Sequence, residues 1–229
     1  MTDWATGEAG GDGAPAEERK LLICGTRTFA EEVADLAAET PGWQVAGFVE
    51  NLEPAKAGST LEGRPIVWVD DLPEMAATHW AVCALVTTKR HRFTRQVATH
   101  GVPFATLVHP TARISERSTL GEGTIASVGA IVAAHTSVGS HVILNRGVLV
   151  GHHTTIGDHV SVLPGANVAG NTRIGDAAFI GMGAIVLDNV EIGPRAVVAA
   201  GSVVTRDVPE GVQVMGVPAR PVAEVPEGR

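Results

Sequence analysis

From Ile114 to Val204 an apolar residue recurs at every sixth position. Of these sixteen positions fifteen are Ile, Leu or Val, Ala126 is the other, and no insertion interrupts the series. Two residues before each stands Ala, Ser, Thr or Val, from Ala112 to Ser202. Residues i and i−2 of a strand point to the same face, so each hexad supplies one large and one small inward side chain. Helical spacing near 3.6 does not fit. A second period of 18 runs through Gly121, Gly139, Gly157, Gly175 and Gly193, and again through Gly129, Gly147, Gly165, Gly183 and Gly201. Three short strands per coil, with glycine at corners where positive φ is needed, account for both periods. One coil closes no core by itself, so coils must stack, and about five fit between Pro110 and Thr205.

Before the repeat the pattern changes. LLICG, WQVAGFVE, IVWV, AVCALVT and PFATLV read as strands, and FAEEVADLAAE and HRFTRQVATH as helices. Strands alternating with helices predict a small parallel α/β sheet of Rossmann-like arrangement, short for a full dinucleotide-binding domain.

Composition narrows the functions. A net charge of −8 argues against nucleic acid or an anionic membrane as the main partner. Residues 1–18, rich in Gly, Ala and acid, are expected to form a disordered leader and lack the apolar core of a signal peptide. Nothing later is long enough to cross a bilayer. Cys24 and Cys83 lie in apolar runs and read as packed thiols of a reducing cytoplasm, in preference to a disulfide or a nucleophile.

Several segments carry a resemblance: GTRTFAEEV at 25–33, GFVEN at 47–51, LVHPTARIS at 107–115, NRGVLVGHHTTIGD at 145–158 and GVPAR at 216–220. From about Lys20 onward the chain resembles the bacterial nucleotide-sugar and sialic-acid acyltransferases, whose hexapeptide repeats follow a Rossmann-like domain. The resemblance, and not the period, implies a left-handed parallel β-helix, since parallel crossovers are otherwise right-handed. It divides the chain into the leader, a substrate-binding domain over 19–108, a β-helix over 109–207, and a tail over 208–229 contributing to the acetyl-CoA site. It also implies a homotrimer with active sites between subunits. Outward Leu149, Leu163 and Val197, in place of a fully charged coat, agree with association.

The resemblance further assigns roles. His152 takes the position of the general base, and His153 stands where the family carries a carboxylate. Gly170, one coil above His152, matches the glycine whose N–H faces the thioester oxygen, and Asn145 lies seven residues before the base. Acetyl-CoA would lie along Gly170, Met182, Ala200, Gly216 and Pro218. The substrate would meet Gly25, Thr26, Arg27, Glu50 and Asn51, although Arg27 and Thr28 stand where the family has paired glycines. Asn145 serves equally well as a corner residue, and His153 as a hydrogen-bonding neighbour or a proton relay. His135 and His153, like His141 and His159, are one coil apart and should stack on the outer surface or at corners, with Asn171 and Asn189 continuing the first column.

The expected activity is cytoplasmic acetyl transfer from acetyl-CoA to the amine or hydroxyl of a sugar, with a nucleotide-linked sugar as the first expectation. No metal, nucleic acid or membrane is implied. Two rivals stay open: a non-catalytic trimeric scaffold or ligand sensor, and a zinc enzyme of the carbonic-anhydrase type. The zinc reading needs a second histidine five residues before His152, where this chain has Gly147.

Overall fold

In the computed structural model residues 18–229 are described, and the expected leader lies outside them but for Glu18. The first domain contains β1 (Arg19–Cys24), α1 (Thr28–Ala38), β2 (Trp43–Glu50), β3 (Thr60–Leu61), β4 (Arg64–Trp68), β5 (His79–Cys83) and α2 (His91–Thr99). Its sheet runs in the order β3-β4-β2-β1-β5, parallel except for the β3–β4 pair. β1 shows why the run LLIC is continuous. Leu21 and Ile23 pack with the Ala30, Val33, Ala34 and Ala37 face of α1, while Leu22 and Cys24 pack with Phe93 and Val97 of α2. A strand covered on both faces needs apolar residues at consecutive positions.

Two predicted strands are shorter than their apolar runs. β5 ends at Cys83, so Ala84–Thr87 of the run AVCALVT lie beyond it. PFATLV is no strand of this sheet: Phe104 makes a single bridge to Ala81, and Leu107–Val108 pair with Ile125–Ala126 in the repeat. Its pairing changes partner within five residues.

The repeat is a left-handed parallel β-helix of two-residue strands, each paired with the strand 18 residues away, as in Leu149↔Asn167 and Val150↔Val168. Three sheets wall the core, with Val132, Val150, Val168 and Val186 at 2% exposure or less. Outward positions differ sheet by sheet. The first sheet shows Arg113, Ile131, Leu149, Asn167, Ile185 and Val203, and the second shows Thr119, Ser137, Thr155, Arg173 and Glu191. The third shows Leu107, Ile125, Ile143, Ser161, Phe179 and Val197, all buried, with Leu107 and Ile125 joining the core of the first domain. Val197 does point out of its coil as expected, but at 4% exposure it is covered within the chain and is not free to meet a partner. Phe179, beside it in register, lies under the Arg229 guanidinium at 4.5 Å.

The two glycine series have separate causes. Gly147 and its equivalents sit at positive φ, near +64°. Gly121 and its equivalents do not. A Cβ at 121 would lie 2.5 Å from the Gly139 carbonyl carbon of the next coil, so stacking distance excludes a side chain there.

Two buried polar residues reinforce the docking of the two domains. Arg90, 1% exposed, donates to the carbonyls of Thr87, His141 and Val160 and to Ser161 Oγ, at 2.7–3.0 Å. Ser161 Oγ in turn donates to the Val86 carbonyl at 2.7 Å. Burial lowers the Arg90 pKa to about 10, which leaves it cationic at neutral pH. His109 of the LVHPTA joint bonds Glu39 Oε2 at the end of α1 through Nε2 (2.7 Å) and Thr111 through Nδ1 (2.8 Å). Among the described residues no helix is long and apolar enough to cross a membrane.

Candidate active site

The 18-residue period decides which residues meet. Positions 134, 152, 170 and 188 form one column at the edge between the first and second sheets, and 135, 153, 171 and 189 form the next. His152 is exposed at this edge, with Gly170 directly above its ring. A Cβ on residue 170 would meet Cε1, Nε2 and Nδ1 of the imidazole at 2.8, 3.0 and 3.1 Å. Only glycine lets the ring lie flat against the next coil. His152 Nε2 and the Gly170 N–H make no hydrogen bond among the described residues. An open imidazole nitrogen thus lies beside an unpaired backbone donor, which suits proton transfer coupled to oxyanion stabilisation.

His152 Nδ1 is engaged. It lies 3.1 Å from His153 Nδ1, with the rings edge to face at 85°. His153 is in the left-handed region (φ 55°), as are His135, Asn171 and Asn189 in its column. The His135 and His153 rings are 4.8 Å apart, at a corner as expected. Asn145 is 4% exposed, and its Oδ1 accepts from the Arg146 N–H at 2.7 Å. It belongs to the edge between the third and first sheets, away from His152, and holds a corner turn. The neighbouring Arg146 guanidinium pairs with Glu32 of α1.

The expected cofactor residues fall into two groups. Met182, Ala200 and Gly216 gather on the third-to-first edge: the Gly201 N–H donates to the Met182 carbonyl, and the Gly216 N–H donates to Ser202 Oγ at 3.1 Å. Pro218 follows in the turn of the hairpin Val212–Gly216/Ala219–Glu224. Met182, Met215 and Val217 are at least half exposed there and give the edge an apolar surface. Gly170 lies on the His152 edge, because 152 and 170 differ by one period whereas 182 falls twelve residues later. One protomer does not bring the two groups together. The first sheet separates them, exposing Ile131, Leu149 and Ile185 at 42, 40 and 41%.

Gly25, Thr26, Arg27, Glu50 and Asn51 do come together, at the carboxyl ends of β1 and β2. Open parallel sheets bind ligands at such strand ends. Glu50, 6% exposed, accepts from the Thr26 hydroxyl and, through Oε1, from the N–H groups of Asn51 (2.9 Å) and Leu52 (2.8 Å). Burial opposes ionisation of Glu50, but the hydrogen bonds, that of Thr26 foremost, outweigh it and hold the carboxyl below the usual range. Lys56 Nζ approaches to 3.7 Å, and Arg27 pairs with Glu53 at 3.6 Å, so the side chain replacing the family's glycine is tied back to the loop. Gly25 has φ +128°, and a Cβ there would crowd Leu85 at 3.2 Å.

His141 and His159 stack at 4.8 Å at a corner, as expected, but this corner is covered by α2. His141 is 8% exposed, with Phe104 edge-on at 4.5 Å, and His159 Nε2 lies 3.0 Å from Thr94 Oγ1 of α2. Both line the crevice between α2 and the coils, a cavity of about 410 Å³. Burial, with Arg90 close by, pushes both imidazoles down to about 4. Cys24 and Cys83 are free and buried, and burial raises both thiols, Cys83 to about 11, far from a nucleophile's range. The role of Arg90 was missed. Its sequence signal, a basic residue closing the TTKR turn before α2, is no different from that of a solvated arginine.

A family model described as bacterial transferase hexapeptide (six repeats) matches residues 171–206. No curated protein matches the sequence. Among solved structures, the acetyltransferase domain of PglB from Neisseria gonorrhoeae FA1090 is 30% identical with a TM-score of 0.81, covering 90% of this chain and 100% of that one. A histidine-to-asparagine variant of perosamine N-acetyltransferase from Caulobacter crescentus, in complex with CoA and GDP-perosamine, is 30% identical with a TM-score of 0.82, covering 90 and 97%. WeeI from Acinetobacter baumannii AYE is 27% identical with a TM-score of 0.79, covering 89 and 100%.

Proposed function

The chain belongs to the bacterial hexapeptide-repeat sugar acetyltransferases, and on that footing we propose that it acetylates the amine of a nucleotide-linked amino sugar, as a cytoplasmic homotrimer. Acetyl-CoA is the acetyl donor. The observation that carries this reading is the contact between His152 and Gly170, which sets an open imidazole nitrogen beside an unpaired backbone N–H. In the proposed reaction the acceptor nitrogen attacks the thioester carbonyl carbon while His152 Nε2 takes its proton. The Gly170 N–H donates to the oxyanion of the tetrahedral adduct. The adduct then collapses, the C–S bond breaks, and the proton on Nε2 passes to the leaving sulfur.

An amine is preferred to a hydroxyl because the similar enzyme crystallised with GDP-perosamine is an N-acetyltransferase. The β1 and β2 loops around Glu50 would hold the nucleotide. The apolar third-to-first edge at Met182, Met215 and Val217 suits the pantetheine arm. Association follows from the division of the site. His152 borders one side of the exposed first sheet and Met182 borders the other. A three-fold arrangement that covers Ile131, Leu149 and Ile185 would bring the Met182 edge of one protomer to the His152 edge of the next. The test is acetyl-CoA-dependent acetylation of GDP-perosamine, followed by release of free CoA thiol. Transfer of acetyl supports the reading, and its absence across a panel of nucleotide-linked amino sugars would favour the scaffold.

A further inference from the structure

We infer that His153 is a positioning residue of this site: its neutral imidazole accepts the Nδ1 proton of His152 and so leaves the His152 Nε2 lone pair free to take the acceptor's proton. The inference rests on His152 being the base and adds how that base is oriented where no carboxylate stands beside it.

Two imidazole nitrogens 3.1 Å apart share one proton, so one Nδ1 donates and the other accepts. If His153 donated, neutral His152 would carry its proton on Nε2 and could accept nothing from substrate. If His152 donates, Nε2 is the acceptor, and it faces solvent unpaired. The second arrangement is the one that works. With the ring centroids 5.2 Å apart and the Nδ1 atoms at 3.1 Å, the two nitrogens face each other. His135, one coil below, packs against the His153 ring at 4.8 Å and restricts its rotation.

His153 and His135 have φ 55° and 60°, in the left-handed region where Asn and His are both enriched. The same column has Asn at 171 and 189 in the same conformation. Imidazoles occupy it only beside His152 and directly below. During turnover no proton moves to His153: Nε2 of His152 gains the acceptor's proton and returns it to the sulfur, while the Nδ1–H bond persists.

The first test is the tautomer in the resting protein, read from nitrogen-15 shifts of histidine-labelled full-length protein. The expected result is His152 protonated on Nδ1 and His153 on Nε2. Neutral His152 protonated on Nε2 would overturn the inference. The second test is kinetic, with acetyl-CoA and GDP-perosamine. His153→Ala should lower kcat about tenfold, the kinetic equivalent of one neutral hydrogen bond, with KM for acetyl-CoA unchanged. His153→Asn keeps an acceptor oxygen and tolerates the left-handed backbone, so it should restore most of that loss. A purely structural role would lower the melting temperature without this order of kcat. Wild-type kcat in His153→Ala, with His152→Ala still inactive, overturns the inference alone. Wild-type kcat in His152→Ala overturns the parent reading.

Discussion

At the scale of single residues the proposal hangs on a ring and the glycine above it. His152→Ala should lower turnover by roughly 10²–10⁴-fold while KM for acetyl-CoA barely moves, since the base acts on a proton in transfer and not on the bound cofactor. Gly170→Ala is the subtler probe. The added methyl would stand 2.8 Å from the His152 ring, which is exposed and can yield at the cost of its contact with His153. Its melting temperature should therefore stay close to wild type while kcat falls, by about 10²-fold if the base is displaced by an ångström. Equal activity in Gly170→Ala and wild type would mean that the ring position does not matter. The column shared by His152 and Gly170 was legible from the 18-residue period alone. That His152 Nδ1 is occupied by a second imidazole was not, because adjacency in sequence does not say whether two corner side chains turn toward each other.

The elements extend the same logic to stability. Val168 is 1% exposed and pairs in register with Val150, so Val168→Asp should bury an uncompensated carboxylate and cost about 3–5 kcal/mol in denaturant unfolding. Wild-type stability would mean that the register is wrong by one residue. The crevice under α2 predicts a pH dependence. His141 and His159 titrate near 4 in the folded chain and near 6.5 when unfolded, so the unfolded state binds more protons between these values. Their contribution is complete above about pH 6.5 and is lost as the pH falls toward 4. The melting temperature should fall from pH 7 to pH 5, and less steeply in a His141→Asn, His159→Asn double variant. An identical slope in both would remove these imidazoles from the account. Here the sequence carried the strands and the stacking of the two histidines, because both follow from periodicity. It did not carry their burial, which depends on where α2 lands. Arg90 helps to fix that landing, and its long-range bonds leave no local pattern. PFATLV misled for a related reason: an apolar run records burial, and burial can come from two different sheets in turn.

Over the whole molecule, the split of the expected site between two edges of the prism is what calls for a partner. Ile131, Leu149 and Ile185 form the exposed apolar face between those edges. A Leu149→Asp, Ile185→Asp double variant should dissociate the proposed trimer in light scattering and lose activity together with assembly, its melting curve remaining cooperative. A wild-type protein that scatters as a monomer at micromolar concentration would contradict the shared site. The central claim, acetyl transfer with His152 as base, is tested most directly by measuring CoA thiol release and acetylated product from acetyl-CoA and GDP-perosamine, in wild type and His152→Ala side by side. The account predicts equimolar thiol and product from the wild type, and a rate about 10²–10⁴-fold lower in the variant. Equal rates in the two proteins would contradict it.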